Sequence, residues 1–326
     1  MFRPWPLLIL LGVTLTSGQS TARPGVGDAE PTENQLVQRI PFELRHGFAV
    51  IVRGSIGNAK NLKFLIDTGA SPSVVDRRVA QKLHLTLSTG RFSTFTRRVD
   101  VDQAIASDLH LGPFHADELR VLVHDLSGLE ETLGVRVDAM VGYDFLQQGA
   151  FTIDYASRSV LFGPIDPQLE TIPYASGLSY VVVLMRVQDA ELPLLVDTGA
   201  HDLIVFEDGL EDSIKTTASA KAGQTFTNLG GEIKVKPLDF SRSFLGAMPW
   251  SDRGAFLLQD SHTTYSAGFK GLLGVAALQS ARVGFDPVRR LFAWESKITR
   301  FASAADLRQL EISPPGGSVL STGKSH

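Results

Sequence analysis

The tetrapeptide Asp-Thr-Gly-Ala occurs twice, as Asp67-Thr68-Gly69-Ala70 and Asp197-Thr198-Gly199-Ala200, at an offset of 130 residues. Each copy closes an apolar run, Phe64-Leu65-Ile66 or Leu194-Leu195-Val196. Each is soon followed by another, Val74-Val75 or Leu203-Ile204-Val205-Phe206. From residue frequencies alone, one copy is expected in roughly one chain of this length in a few hundred. Two copies in matching surroundings therefore ask for a common cause. Three more landmarks keep the same order and spacing. Thr94-Phe95-Thr96 returns as Thr225-Phe226-Thr227 at offset 131, Val141-Gly142 as Leu273-Gly274 at 132, and Ile153-Asp154-Tyr155 as Phe285-Asp286-Pro287 at 132. This is an internal duplication, and two copies are too few for a solenoid. Such a chain is expected to fold as two related lobes about a pseudo-twofold axis, with Asp67 and Asp197 meeting on that axis.

Within each copy the pattern is that of short strands and turns. Residues 49–56 and 62–66 flank Gly57-Asn58-Ala59-Lys60, a hairpin that feeds Asp67. Residues 180–187 and 192–196 flank Gln188-Asp189-Ala190-Glu191 and feed Asp197 in the same way. Val79, Ala80 and Leu83 have the spacing of one short amphipathic helix over 76–83. Further strands are expected over 92–101, 103–111 and 118–124, with Gly112-Pro113 as a turn, then at Met140-Val141-Gly142, 151–155 and 160–162. The fold class is all-β, two-lobed, with a few short helices. Residues 40–165 form the first lobe and 170–300 the second, separated where Pro and Gly cluster. Residues 20–39, rich in Pro, Gly and acidic groups, read as a linker, and 301–326 as a flexible tail.

Residues 1–19 read as a secretory signal: Arg3 precedes an apolar stretch over 5–15, followed by small and polar residues. The apolar core is short for a bilayer span. The expectation is an exported protein, periplasmic or secreted, with no membrane contact unless that segment stays uncleaved. A net charge of −4 without runs of Lys or Arg argues against nucleic acid as a partner. The absence of cysteine excludes disulfides, thiol catalysis and thiolate metal sites. His110, His115 and His124 match no helix-face ligand pair and read as scattered surface histidines, so no metal is expected. His201 reads as a loop histidine rather than a tuner of the neighbouring aspartate. Asp154 and Asp286 occupy matching strand-to-turn positions and read as structural.

A strand running into Asp-Thr-Gly has a chemical logic. The apolar strand fixes the carboxylate in a buried floor, the glycine allows a tight turn and close backbone approach, and the threonine hydroxyl can bond across to a facing loop. Two carboxylates held face to face cannot both ionise at ordinary pH and share a proton. One can then deprotonate a water while the other donates to a carbonyl, which is general acid–base hydrolysis without metal, thiol or cofactor.

These loops resemble the active-site loops of aspartic proteases, and the Val141-Gly142 and Leu273-Gly274 pairs resemble the hydrophobic–hydrophobic–glycine element that buttresses them. The resemblance covers roughly residues 40–297 and is closest to retropepsin-like and pepsin-like proteins, particularly exported bacterial members with both lobes in one chain. It implies the two-lobed acid-protease fold, with Asp67 and Asp197 as the catalytic dyad. Thr68 and Thr198 would be the interlocking threonines, Gly69 and Gly199 the turn glycines, and the substrate a peptide or protein. Candidate flaps are residues 90–101 and 223–236, with Phe95, Thr96, Phe226, Thr227 and the tip at Gly230 as candidate substrate contacts. Neither carries the tyrosine of the pepsin flap. Pepsin-like enzymes usually have Ser or Thr where this chain has Ala70 and Ala200, and that hydroxyl bonds an outer carboxylate oxygen; retroviral-type enzymes have Ala there. The alanines lead to the expectation of a dyad with a higher apparent pKa than in an acid protease. Since one chain supplies both half-sites, a monomer is expected. The alternatives are a weak or inactive protease-like binding or scaffold protein, and a subunit whose lobes pair between chains.

Overall fold

The structure, a computed structural model, describes residues 37–93, 98–175, 180–207, 210, 224–228, 231–240, 242–250, 253–258 and 268–295. Its architecture is all-β and two-lobed. The proposed signal, linker and tail lie outside the described residues, except for residues 37–39 of the linker.

Each lobe is built on three adjacent strands. Ala59–Asp67 runs parallel to Ala139–Gly142, which in turn runs antiparallel to Val74–Asp76; Asp67 stands opposite Gly142. In the second lobe, Ala190–Asp197 runs parallel to Gly271–Gly274, which is antiparallel to Leu203–Phe206, with Asp197 opposite Gly274. In both lobes the strand ending in glycine therefore lies between the strand that delivers the aspartate and the strand that leaves it. Strands buried on both faces carry unbroken apolar runs. Phe64 and Ile66 enter the large core shared by the two lobes, whereas Leu65 packs with Val74 and Met140 in a smaller cluster. Leu194, Val196 and Leu195 divide in the same way.

The lobes are joined by a six-stranded sheet whose order is symmetric about its centre. Phe151–Asp154 pairs antiparallel with Arg282–Asp286, so that Phe151 faces Phe285 with their rings stacked at 4.8 Å. Ser159–Phe162 and Leu291–Trp294 flank this pair, and Gln38–Pro41 and Glu170–Pro173 form the edges. Asp154 and Asp286 each begin a turn in this sheet. The first accepts from Ser157 N–H at 2.8 Å, the second from Val288 and Arg289 N–H at 3.1 and 2.9 Å. These bonds explain why aspartate recurs there.

The helix over Arg77–Lys82 forms where its pattern placed it, capped by Asp76, whose Oδ1 accepts from Arg78 N–H at 3.0 Å. Two expected strands are differently divided. Instead of 92–101 and 103–111, Ser88–Ser93 forms a hairpin with a single 14-residue strand, Arg98–Leu111. Asp102 does not interrupt that strand, because its backbone sits opposite Thr89 and Val123 and its carboxylate takes Arg77 at 2.7 Å. The second lobe breaks the equivalent course into Gly231–Leu238 and Ser243–Leu245. The helix Ser127–Leu133, which seats Leu129 and Leu133 in the smaller first-lobe cluster, was not anticipated. Among the described residues, no helix is long and apolar enough to cross a membrane.

Candidate active site

Where the two Asp-Thr-Gly loops meet, each threonine reaches into the opposite lobe. Thr68 Oγ1 donates to the Val196 carbonyl at 2.8 Å and accepts from Thr198 N–H at 3.1 Å. Thr198 Oγ1 donates to the Ile66 carbonyl at 3.0 Å and accepts from Thr68 N–H at 2.9 Å. Both threonines and both aspartates are fully buried. A hydroxyl is the side-chain group that can satisfy a backbone donor and a backbone acceptor at once, and the reciprocal pair locks the loops in register across the axis.

The lock brings the carboxylates together. A methyl group on Gly69 would lie 2.5 Å from Asp197 Cγ, and one on Gly199 would lie 2.6 Å from Asp67 Oδ2. Glycine is required at both positions because the facing carboxylate occupies the space. Asp67 Oδ1 accepts from the Gly69 and Ala70 N–H groups at 2.9 and 3.1 Å, and Asp197 Oδ1 accepts from Gly199 N–H at 2.7 Å. The Oδ2 atoms of both aspartates are buried without a donor among the described residues. Ala70 and Ala200, themselves fully buried, have no hydroxyl to offer them. Two acceptor oxygens left facing one another in a buried floor are satisfied by a shared proton. Burial pushes the Asp67 carboxyl up to about 6, against which its hydrogen bond with Asp197 and then those from Gly69 and Ala70 N–H pull. Burial, and then the charge of Asp67, raises the Asp197 carboxyl well above the ordinary range.

The buttress pairs lie under these loops. Val141 faces Ile66 and Leu273 faces Val196 in the parallel registers. A Cβ on Gly142 would meet the Ala70 carbonyl oxygen at 2.4 Å, and one on Gly274 would come within 2.5 Å of the His201 backbone. The first loop has extra support that was not foreseen in sequence. Ser73 Oγ donates to Asp144 Oδ1 at 2.7 Å and accepts from Gly142 N–H at 2.9 Å, while Ser73 N–H reaches both Asp144 oxygens at 3.0 Å. Burial raises the Asp144 carboxyl, moderated by those Ser73 bonds. The second loop uses backbone alone, with Gly274 N–H donating to the Asp202 carbonyl at 3.0 Å.

A second pair of contacts crosses the axis. The Phe48 ring lies edge-on to His201 at 5.5 Å, and Tyr180 Oη donates to the Ser71 carbonyl at 3.1 Å. Phe48 and Tyr180 stand at offset 132, and Ser71 and His201 at offset 130. Each lobe therefore places an aromatic residue against the residue that follows the opposite Asp-Thr-Gly-Ala. His201 thus bridges the lobes. Its imidazole is held above its ordinary value by the Asp202 carboxylate 3.0 Å from Nδ1. The repeat offset was the available signal for these aromatics.

Of the candidate flaps, Phe95, Thr96 and Gly230 lie outside the described residues. Phe226 and Thr227 are in the strand Gln224–Asn228, opposite Ile233 and Glu232. The strands of both hairpins are present at corresponding places, Ser88–Ser93 with Arg98–Leu111 and Gln224–Asn228 with Gly231–Leu238.

With this geometry in view, the comparison with known families is direct: residues 52–145 match the family model described as aspartyl protease. Over this stretch the chain is similar to aspartyl proteases. The match runs from the first hairpin through Asp67 to Gly142 and the turn of helix after it, and so contains one Asp-Thr-Gly loop with its glycine buttress. The second such loop lies outside the match and is tied to the first by the duplication and the threonine lock. Among curated proteins, none matches the chain.

Proposed function

We propose that the chain is an aspartic endopeptidase with a retropepsin-like dyad assembled from both lobes of one molecule, acting on peptides or proteins in an exported compartment. The observation that carries this reading is the pair of buried carboxylates, each with an unpartnered Oδ2, facing one another across reciprocal threonine bonds. Asp197, raised by burial and then by the charge of Asp67, keeps its proton while Asp67 ionises first. In the reaction Asp67 takes a proton from water, and the hydroxide attacks the scissile carbonyl carbon. Asp197 gives its proton to the carbonyl oxygen, forming a tetrahedral diol. As the C–N bond breaks, Asp67 returns a proton to the amide nitrogen and Asp197 takes one back from a diol hydroxyl, which releases the amine and the carboxylic acid and restores both carboxyls. The competent form has one ionised and one protonated carboxyl, so the rate rises as pH climbs through about 6, the Asp67 value.

The test is cleavage of an unstructured protein across pH by the wild type, Asp67→Asn and Asp197→Asn. Loss of at least about 10³-fold in either variant, with a wild-type profile rising toward neutrality, supports the reading. Wild-type-like rates in Asp67→Asn, or an optimum below pH ~3, under the unperturbed aspartate value, would sink it. Export is supported by the pattern of residues 1–19 and is checked by fractionation and N-terminal sequencing of the mature chain; sedimentation tests the proposed monomer.

A further inference from the structure

The two histidines expected to lie scattered on the surface are brought together. We propose that His110, His115 and Asp108 form a binding site for a Zn²⁺-class divalent transition metal, at the turn of the hairpin made by Arg98–Leu111 and Phe114–His124. His110 and His115 are directly opposite one another across this hairpin, which closes through Gly112 at φ 58° and Pro113. Their rings stack at 4.1 Å with an interplanar angle of 15°. Both Nε2 atoms converge on one carboxylate oxygen: His110 Nε2 is 2.8 Å and His115 Nε2 is 3.3 Å from Asp108 Oδ1. One ligand atom from each residue lies within 4.8 Å of the others. Tetrahedral N and O ligands about 2.0–2.1 Å from zinc stand roughly 3.4 Å apart. The three donors are therefore near the spacing a metal imposes.

The backbone beneath them is fixed. On its other edge, the strand bearing His110 pairs with Ser55 and Ile56 of Ala49–Ile56. Gly57 N–H donates to both the Ser107 and Asp108 carbonyls at 3.1 Å, which holds Asp108 at φ 56°. Asp117, with Oδ1 3.5 Å from His115 Nε2, is placed to supply a fourth ligand. Two imidazoles and a carboxylate select Zn²⁺, Cu²⁺ or Ni²⁺ over Mg²⁺ or Ca²⁺, which prefer all-oxygen shells. The sequence signal is the run His110-Leu111-Gly112-Pro113-Phe114-His115. Its spacing is wrong for one helix face but right for a cross-strand pair about a two-residue turn. The site lies at the opposite end of Arg98–Leu111 from the hairpin with Ser88–Ser93. Its metal would clip the first lobe together and take no part in hydrolysis.

The test is calorimetric titration of chelator-treated full-length protein with ZnCl₂, with thermal melting alongside. The proposal expects saturable binding of one equivalent, a metal-dependent rise in Tm, and affinity lower by about 100-fold or more in His110→Asn/His115→Asn, since losing a direct ligand costs at least what losing an outer-shell partner costs. Unsaturable binding, or affinity unchanged in the double variant, overturns it. X-ray absorption on the zinc-loaded wild type decides without any variant: two imidazoles in the shell support the site, and one or none refutes it.

Discussion

The shared proton has a measurable consequence for stability. In the unfolded chain both dyad carboxyls ionise near the ordinary aspartate value. In the folded chain Asp67 holds its proton from 3.8 up to about 6. A carboxyl whose folded pKa is raised contributes stability fully present below its unfolded value and lost as pH rises through the folded value. At about 1.36 kcal/mol per pH unit, the Asp67 shift alone corresponds to a loss of about 3 kcal/mol between pH 3.8 and about 6. Asp197, raised further by burial and by its neighbour's charge, extends the loss to higher pH. Against a total stability of roughly 5–15 kcal/mol this is a large fraction.

Asp197→Asn keeps the side-chain volume, gives Asp67 Oδ2 a permanent amide donor and removes one titrating carboxyl. Urea unfolding of both proteins at intervals from pH 4 to 7.5 isolates the effect, because any fixed packing cost of the asparagine is the same at every pH. The stability difference between variant and wild type should shift steadily in the variant's favour as pH rises across that range, because the variant lacks the carboxyl that burial and the Asp67 charge hold protonated. Parallel stability curves for the two proteins would refute the claim that the dyad is proton-sharing in its buried floor.

Thr68→Val removes two cross-lobe bonds and strands the Thr198 N–H. It should cost about 3 kcal/mol by denaturant unfolding, and the double variant with Thr198→Val should cost less than the sum of the singles, because one broken half of the lock loosens the other. Gly142→Ala drives a methyl into the Ala70 carbonyl, a backbone atom that cannot turn aside, and should lower Tm by several degrees while abolishing cleavage. Ala200→Ser offers a hydroxyl near an unpartnered carboxylate oxygen. It should lower the first dyad ionisation and move the rising limb of kcat/KM toward acid, read from a pH–rate profile. Ser73→Ala should lower activity more than it lowers Tm, because it releases Asp144 and Gly142 beneath one loop only.

The central strands of both lobes were readable because they are buried on both faces. Unbroken apolar runs ending in Asp-Thr-Gly have no other stable place, and each glycine pair at offset 132 marked the strand that slots beside them. The continuity of Arg98–Leu111 was not readable, since a charged residue at Asp102 looks like an interruption until the strands and the arginine that accommodate it are known. Ser73 and Asp144 are 71 residues apart and share no periodicity, so only the folded chain reveals their bond. The adjacency of His110 and His115 was not legible for a different reason. Their spacing fits no helix face, and the hairpin that makes them a pair is a tertiary fact.

Duplication predicts two equivalent carboxylates, yet catalysis needs them to differ, one giving a proton while the other takes one. The structure supplies that difference outside the repeated tetrapeptide, in what braces each loop. The loop of Asp67 is braced by Ser73 and Asp144, whereas the loop of Asp197 is braced by a backbone bond to Asp202. Burial and then the charge of Asp67 raise Asp197 further, so the first negative charge settles on Asp67 and the retained proton on Asp197. Exchange of roles is then a matter of altering these surroundings. With Asp144→Asn the Ser73 brace is weakened, the Ala70 N–H is less firmly aimed, and the first ionisation should rise above about 6. A pH–rate profile whose rising limb stays in place would show that the asymmetry lies elsewhere.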